Sequence, residues 1–129
     1  MLDHVSITVN ALEPAQRFYD AVMAALGVPR VWISDTGIGY GLRNTEQEDG
    51  HSFLAIYVRP SVVADRRHWA FRAPDRAAVR AFHAAGLAHG GRDDGAPGLR
   101  VQYHPAYYGA FLLDPDGNRV EAVCNRPEA

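Results

Sequence analysis

Cysteine is almost absent from this sequence. Cys124 is the only one, so no internal disulfide is available, which fits a reducing compartment and an expected cytoplasmic location. No apolar run reaches the roughly 18 residues a spanning helix needs. The opening Met1-Leu2-Asp3-His4 carries no basic n-region, so neither a secretion signal nor a membrane partner is expected. Lysine is missing altogether, all 13 basic residues being arginine, and no functional consequence follows from that alone. Positive charge is not in excess either. With 15 acidic residues the formal net charge is -2, far from the field that nucleic acid recognition usually demands. At 129 residues the chain is too short for a separate cofactor domain, yet long enough to bury a core without staples. A 47% hydrophobic and 22% charged composition is globular, which argues against extensive disorder.

What is present has a repeat in it. Leu2 to Val9, followed by Pro14 to Gly27, shares its layout with Arg67 to Ala73, followed by Asp75 to Gly91. His4 and His68, Phe18 and Phe82, and Gly27 and Gly91 are all separated by 64 positions. A shared offset of half the chain length points to a duplicated module, with modules at about 1–60 and 66–126 of one domain, 1–129, joined by Pro60 to Arg66.

Local signals place the elements. Ala15, Phe18, Tyr19, Val22 and Leu26 fall at helical spacing, with Pro14 in the first turn and Gly27 as the stop. Asp75, after Pro74, is an N-cap for a second helix carrying Val79 and Phe82 and closed by Gly90-Gly91. Gly86 inside it is unfavourable by about 1 kcal/mol against alanine. Ser52 to Val58, Leu99 to His104, Tyr107 to Leu113 and Arg119 to Cys124 read as strands. Asp114-Pro115-Asp116-Gly117-Asn118 is strong turn chemistry. Arg43 to His51 reads as a polar loop, and Gly90 to Gly98 as a mobile flap or turn. The order is strand, helix, strands, performed twice.

Alternation along the strands separates two faces. Val5, Ile7 and Val9 oppose His4, Ser6 and Thr8. Trp69 and Phe71, expected in the core, oppose His68, Ala70 and Arg72. Val120, Ala122 and Cys124, the last an inert buried thiol, oppose Arg119, Glu121 and Val123. His4, His68 and Glu121 are thereby left on faces poor in large apolar groups. If the modules share one curved sheet, these three converge in its concavity. Two imidazoles and one carboxylate form a facial triad able to hold divalent Fe, Mn, Ni, Zn or Co with positions left open. His83 and His89, on the second helix, are expected to be exposed.

The strand Leu2 to Val9, the helix with Arg17-Phe18-Tyr19, and the ending Leu113-Asp114-Pro115-Asp116-Gly117-Asn118-Arg119-Val120-Glu121 together resemble the vicinal oxygen chelate superfamily. That group includes glyoxalase I, extradiol dioxygenases, and bleomycin- and fosfomycin-resistance proteins. The resemblance implies an α+β fold of two βαβββ modules forming a half-barrel. It implies a divalent metal at His4, His68 and Glu121, acting on a small-molecule substrate that chelates it through neighbouring oxygens. It also implies a homodimer, with modules pairing within or between chains. A fourth ligand in the last strand of module one, as in glyoxalase-like members, has no candidate in Phe53 to Tyr57; subtracting 64 from Glu121 lands on Tyr57. Glu46, Glu48, Asp49 and His51 read as a solvated charge run. In Tyr103-His104-Pro105-Ala106-Tyr107-Tyr108, the resemblance gives His104 and Tyr108 a catalytic role, His104 as general acid or base. A register slip of one residue would exchange Tyr108 for Tyr107. The competing expectation is a metal-free sequestration protein of the bleomycin-binding kind.

Overall fold

Each half of the chain folds as strand, helix and three strands, and each half builds its own sheet. The computed structural model describes residues 1–61 and 63–128. The first module contains β1 (His4–Val9), α1 (Leu12–Ala25), β2 (Arg30–Ile33), β3 (Gly37–Gly41) and β4 (Phe53–Val58). The second contains β5 (His68–Arg72), α2 (Arg76–Ala88), β6 (Arg92–Leu99), β7 (Tyr108–Leu113) and β8 (Arg119–Cys124). The sheet orders are β1-β4-β3-β2 and β5-β8-β7-β6, with the first and last strands of each module paired in parallel. The strands that begin at His4 and His68 both lie at a sheet edge. This is a pair of βαβββ modules with no closed barrel.

The helix ends follow the chain's own chemistry. Pro14 is the third helical residue of α1, still within the first turn, where its missing N–H has no intrahelical partner to lose. At the other end Gly27 takes φ 76°, and the Gly27 and Val28 N–H groups donate to Ala24 and Met23 carbonyls in a Schellman stop. Asp75 caps α2 by accepting from the Ala78 N–H at 2.8 Å. The unfavourable Gly86 has a packing reason. A Cβ there would stand 2.3 Å from Leu112 Cδ1 and 3.2 Å from Phe18 Cε2, so glycine lets α2 close on β7 and α1. Phe18 and Phe82, the repeat pair, are both fully buried in the shared core between the helices and the two sheets.

The Asp114–Asn118 turn is a clasp between modules. The Asp114 carboxylate, wholly buried, accepts from the backbone N–H groups of Asp116 and Asn118, the Asn118 amide and the Tyr19 hydroxyl of α1. Asn118 also donates to the Thr8 carbonyl at the end of β1, and Asp116 accepts twice from Asn10. Burial and the Asp114 charge push the Tyr19 phenol well above its ordinary range, so it stays a donor.

Several local expectations need correction. Gly90 to Gly98 is not a flap: Arg92–Leu99 is a paired edge strand, its register shifting around Gly95 and Gly98. Glycine and proline signal turns, but they also serve bulges and edge strands. Arg100 secures the irregular stretch by donating to the carbonyls of Ala96, Gly98 and Gly109. The chain therefore leaves the sheet at Leu99, and Val101 to Tyr103 form a turn rather than a strand. Trp69, expected in the core, is 37% exposed on edge strand β5, while Phe71 packs partly buried against the core. His83, expected at the surface, is buried, its Nε2 donating to Asp93 Oδ1 at 2.8 Å. His89 is exposed as expected.

Candidate metal centre

The second module's concave face carries the most distinctive chemistry. β8 turns Glu121 away from the helices, opposite Phe111 on β7 and Ala70 on β5. His68, at the start of β5, reaches across Arg119 of β8. Its Nε2 lies 3.4 Å from Glu121 Oε1. Glu121 is 1% exposed, and among the described residues no guanidinium lies within 4 Å of it. Its other oxygen accepts a hydrogen bond from the Tyr107 hydroxyl. Burial, followed by that bond to Glu121, raises the Tyr107 phenol well above its ordinary value.

These groups line an open concavity of about 690 Å³ with Arg100, Tyr103, His104, Phe111 and Arg119. Neither arginine is free for a ligand without rearrangement: Arg119 is paired with Asp94 at 2.9 Å, and Arg100 is committed to its three carbonyls. His104 faces this space with its tautomer fixed. Its Nδ1 accepts from the Ala106 N–H at 3.1 Å, so Nε2 bears the proton and donates to Asn125 Oδ1 at 2.9 Å.

Tyr108 lies elsewhere. Its ring packs against the helix-side core, beneath the guanidinium groups of Arg76 and Arg80 at 5.1 and 5.9 Å. The phenol beside Glu121 is that of Tyr107, the residue a one-position change of register exchanges with Tyr108. The tight turn before β7 fixes that register, and nothing in the local pattern of three phenols signals it.

His4 stands in a second, smaller concavity on module one, with Asp3, Ser6, Arg43, Asn44, Phe53, Ala55 and Tyr57. In the neutral imidazole, Nδ1–H donates to Asp3 Oδ1 at 2.8 Å and Nε2 keeps its lone pair. Asp3 is held in turn by Asn44 at 2.8 Å, and Asn44 is locked to the backbone of His51. These hydrogen bonds, from Asn44 first and His4 second, hold the Asp3 carboxyl below its ordinary value. The polar loop Arg43 to His51 thus does more than present charge to solvent. The adjacent pair Asp3-His4 was the sequence signal for this arrangement.

His68 and Glu121 are therefore together, and His4 is on another face. Among the described residues, no group of three histidine, cysteine, aspartate or glutamate side chains is close enough to share an ion. The strand register also corrects the counterpart of Glu121 in module one. Ser6 pairs with Ala55 as Ala70 pairs with Glu121, so that counterpart is Ala55 and not Tyr57. His4 to Phe53 spans 49 positions where His68 to Arg119 spans 51, and the constant offset of 64 fails across this difference.

Paired βαβββ modules, each presenting a histidine at the start of an edge strand, define a class of small open-faced α+β proteins. The chain belongs to the Glyoxalase/Bleomycin resistance protein/Dioxygenase superfamily, whose family model matches residues 1–122. It is similar to a glyoxalase/bleomycin resistance protein from Albidiferax ferrireducens T118, with 31% identity, 98% of each chain covered and a TM-score of 0.78. A glyoxalase-related enzyme from Fulvimarina pelagi shares the fold at 17% identity, covering 95% of this chain and 86% of its own, with a TM-score of 0.69. So does a lactoylglutathione lyase from Agrobacterium tumefaciens at 17% identity, covering 95% and 92%, with a TM-score of 0.64. No curated protein matches the sequence. Among the described residues no helix is long and apolar enough to cross a membrane.

Proposed function

We propose that the protein is a small metalloenzyme whose centre is completed between two copies: His68 and Glu121 come from one and His4 from the other. The observation that carries this reading is the almost fully buried Glu121 carboxylate, whose partners among the described residues are an imidazole and a phenol and no arginine. A buried carboxylate calls for a compensating cation. The donor set fits a divalent ion. Two donors each about 2.1 Å from one ion at 90–110° stand about 3.0–3.4 Å apart, and His68 Nε2 and Glu121 Oε1 are separated by 3.4 Å. On the other face, His4 has the preparation typical of a metal-binding imidazole, with one nitrogen bonded to a carboxylate and the other open. The edge positions of β1 and β5 leave both histidine strands accessible to a second copy.

When bound, the ion would act as a Lewis acid toward a substrate offering two neighbouring oxygens. The chain's own residues supply the rest. Tyr103, Tyr107 and Phe111 give the concavity aromatic walls, and Arg100 and Arg119 border it. His104 carries a proton at Nε2 facing that space, so its role is donation first, with Asn125 giving way. Lyase or dioxygenase chemistry of this family is the expected class, on a small molecule and not on nucleic acid.

Mixing two inactive chains tests the reading. His4→Ala and Glu121→Gln chains should each bind metal too weakly to carry it through purification alone. Unfolded and refolded together, they form mixed dimers that regain one of two sites, and elemental analysis should recover about a quarter of wild-type metal. No recovery on mixing sinks the shared centre. Wild-type protein that carries no metal after chelator-free purification, yet binds small aromatic ligands tightly, supports the sequestration reading instead.

A further inference from the structure

The two oxygens of Glu121 have different surroundings. Oε1 faces His68 Nε2. Oε2 accepts the Tyr107 phenolic proton, and a Cβ at position 109 would stand 3.1 Å from it and 3.2 Å from Tyr107 Cε1. Gly109 thus leaves the room that lets phenol and carboxylate meet. The phenol is held in its turn. The Tyr107 N–H donates to the His104 carbonyl at 3.1 Å, its ring lies 4.9 Å from that of Tyr103, and the His104 ring meets it edge-on at 5.5 Å. His104 is tied at both ring nitrogens. The segment from Arg100 to Tyr107 therefore works as a brace whose end point is a single hydrogen bond to Oε2.

A carboxylate can hold an ion with one oxygen or with both. We propose that Tyr107 is a positioning residue that keeps Glu121 a one-oxygen ligand, which leaves neighbouring positions on the ion for a substrate with two donor oxygens. The inference rests on the metal reading above and goes beyond it, because a purely space-filling tyrosine would serve that reading equally well. It also gives the phenol at 107 a function that the phenol at 108, stacked under two arginines, has no geometry to perform.

Tyr107→Phe keeps the ring and removes only the donor. The probe is Mn(II), followed by its binding isotherm and by water-proton relaxation of the loaded protein. With three protein donors on a six-coordinate ion, a second Glu121 oxygen displaces one of about three exchangeable waters, so relaxivity should fall by roughly a third. Mn(II) affinity should rise at the same time. A phenol that only stabilises the fold would leave relaxivity per bound ion unchanged. The Glu121→Gln/Tyr107→Phe double variant should match Glu121→Gln in Mn(II) affinity, because the phenol acts through the carboxylate. Wild-type protein that binds Mn(II) beside a Tyr107→Phe variant of identical relaxivity and affinity overturns this inference alone. A double variant clearly weaker than Glu121→Gln overturns it too. Wild-type protein that takes up no Mn(II) overturns the metal reading and this inference with it.

Discussion

Tyr19→Phe is the cleanest test of how the two modules are held together. The substitution removes one oxygen and leaves the ring, which packs edge-on against Phe18 at 4.9 Å and near Tyr40 at 6.4 Å. The lost bond, 2.7 Å from the Tyr19 hydroxyl to Asp114 Oδ2, joins α1 to the turn between β7 and β8. Both partners are fully buried, so water cannot replace it cheaply. Hydrogen bonds to charged groups contribute about 1.5–3 kcal/mol. Asp114 keeps three other donors, which places the expected loss near the lower half of that range, at about 2 kcal/mol.

For a domain of this size each kcal/mol moves Tm by about 3–5 °C, so Tyr19→Phe should melt about 6–10 °C below wild type. The assay is thermal unfolding by circular dichroism at one fixed protein concentration, since any dimer makes Tm concentration-dependent. Asp114→Ala should be worse. It strands the Tyr19 hydroxyl and two turn N–H groups, each at on the order of 1–3 kcal/mol. A Tyr19→Phe variant that melts within about 2 °C of wild type would refute the clasp. The turn would then be an ordinary hairpin connection that happens to touch α1.

Three further outcomes follow from named contacts. Asp3→Ala should weaken metal binding about 10–100-fold by freeing the His4 ring, as measured by isothermal titration with Mn(II); in the same region, Asn44→Ala should let the Asp3 carboxyl climb back toward its ordinary 3.8, read by carboxyl NMR. The sign is that of a lowered carboxyl: its contribution is present above 3.8 and is lost as pH falls through the lowered value. Gly86→Ala should destabilise despite alanine's helix advantage of about 1 kcal/mol, because the 2.3 Å approach to Leu112 Cδ1 forces repacking at about 1–3 kcal/mol; a rise in Tm would show that Leu112 yields freely.

Much of the architecture was readable because it is local. Helix stripes, the Asp75 cap, the Gly27 stop and strand alternation around His4, His68 and Glu121 each need only a few neighbouring residues. Gly86 was readable as a cost and unreadable as a benefit, since Leu112 lies 26 positions away. β2 and β3 carried no clear strand signal. Their glycines, Gly37 and Gly39, are there because the Trp32 indole lies against them, a contact across the strand pair. β6 was misread for the opposite reason: its glycines and Pro97 are bulge and edge chemistry rather than loop chemistry. The ending Asp-Pro-Asp-Gly-Asn was the strongest part of the resemblance, and its buried carboxylate serves the join between modules. The candidate site residue next to it is Glu121, three positions on, which that join helps to place.

Faces can be assigned from alternation, but whether two faces look at each other depends on how the modules dock. Each histidine was placed on a polar face, and in each module that histidine begins an edge strand. Docking of α1 on α2 and the Asp114 clasp bring the helical sides together, and the two polar concavities open separately. The same core that makes the chain stable therefore keeps His4 from His68 and Glu121. Duplication supplies two similar half-sites: in the first, Asp3 is engaged in orienting the His4 ring, and only the second has a last-strand carboxylate, Glu121 beside His68. Ala55 stands where module one's acid would be, so neither half is sufficient within its own module. On the proposed reading, the His4 face of one copy meets the Glu121 face of another to complete the centre. That proposal predicts that an assembly hiding either concavity against a different surface takes up no metal, however well the protomer folds.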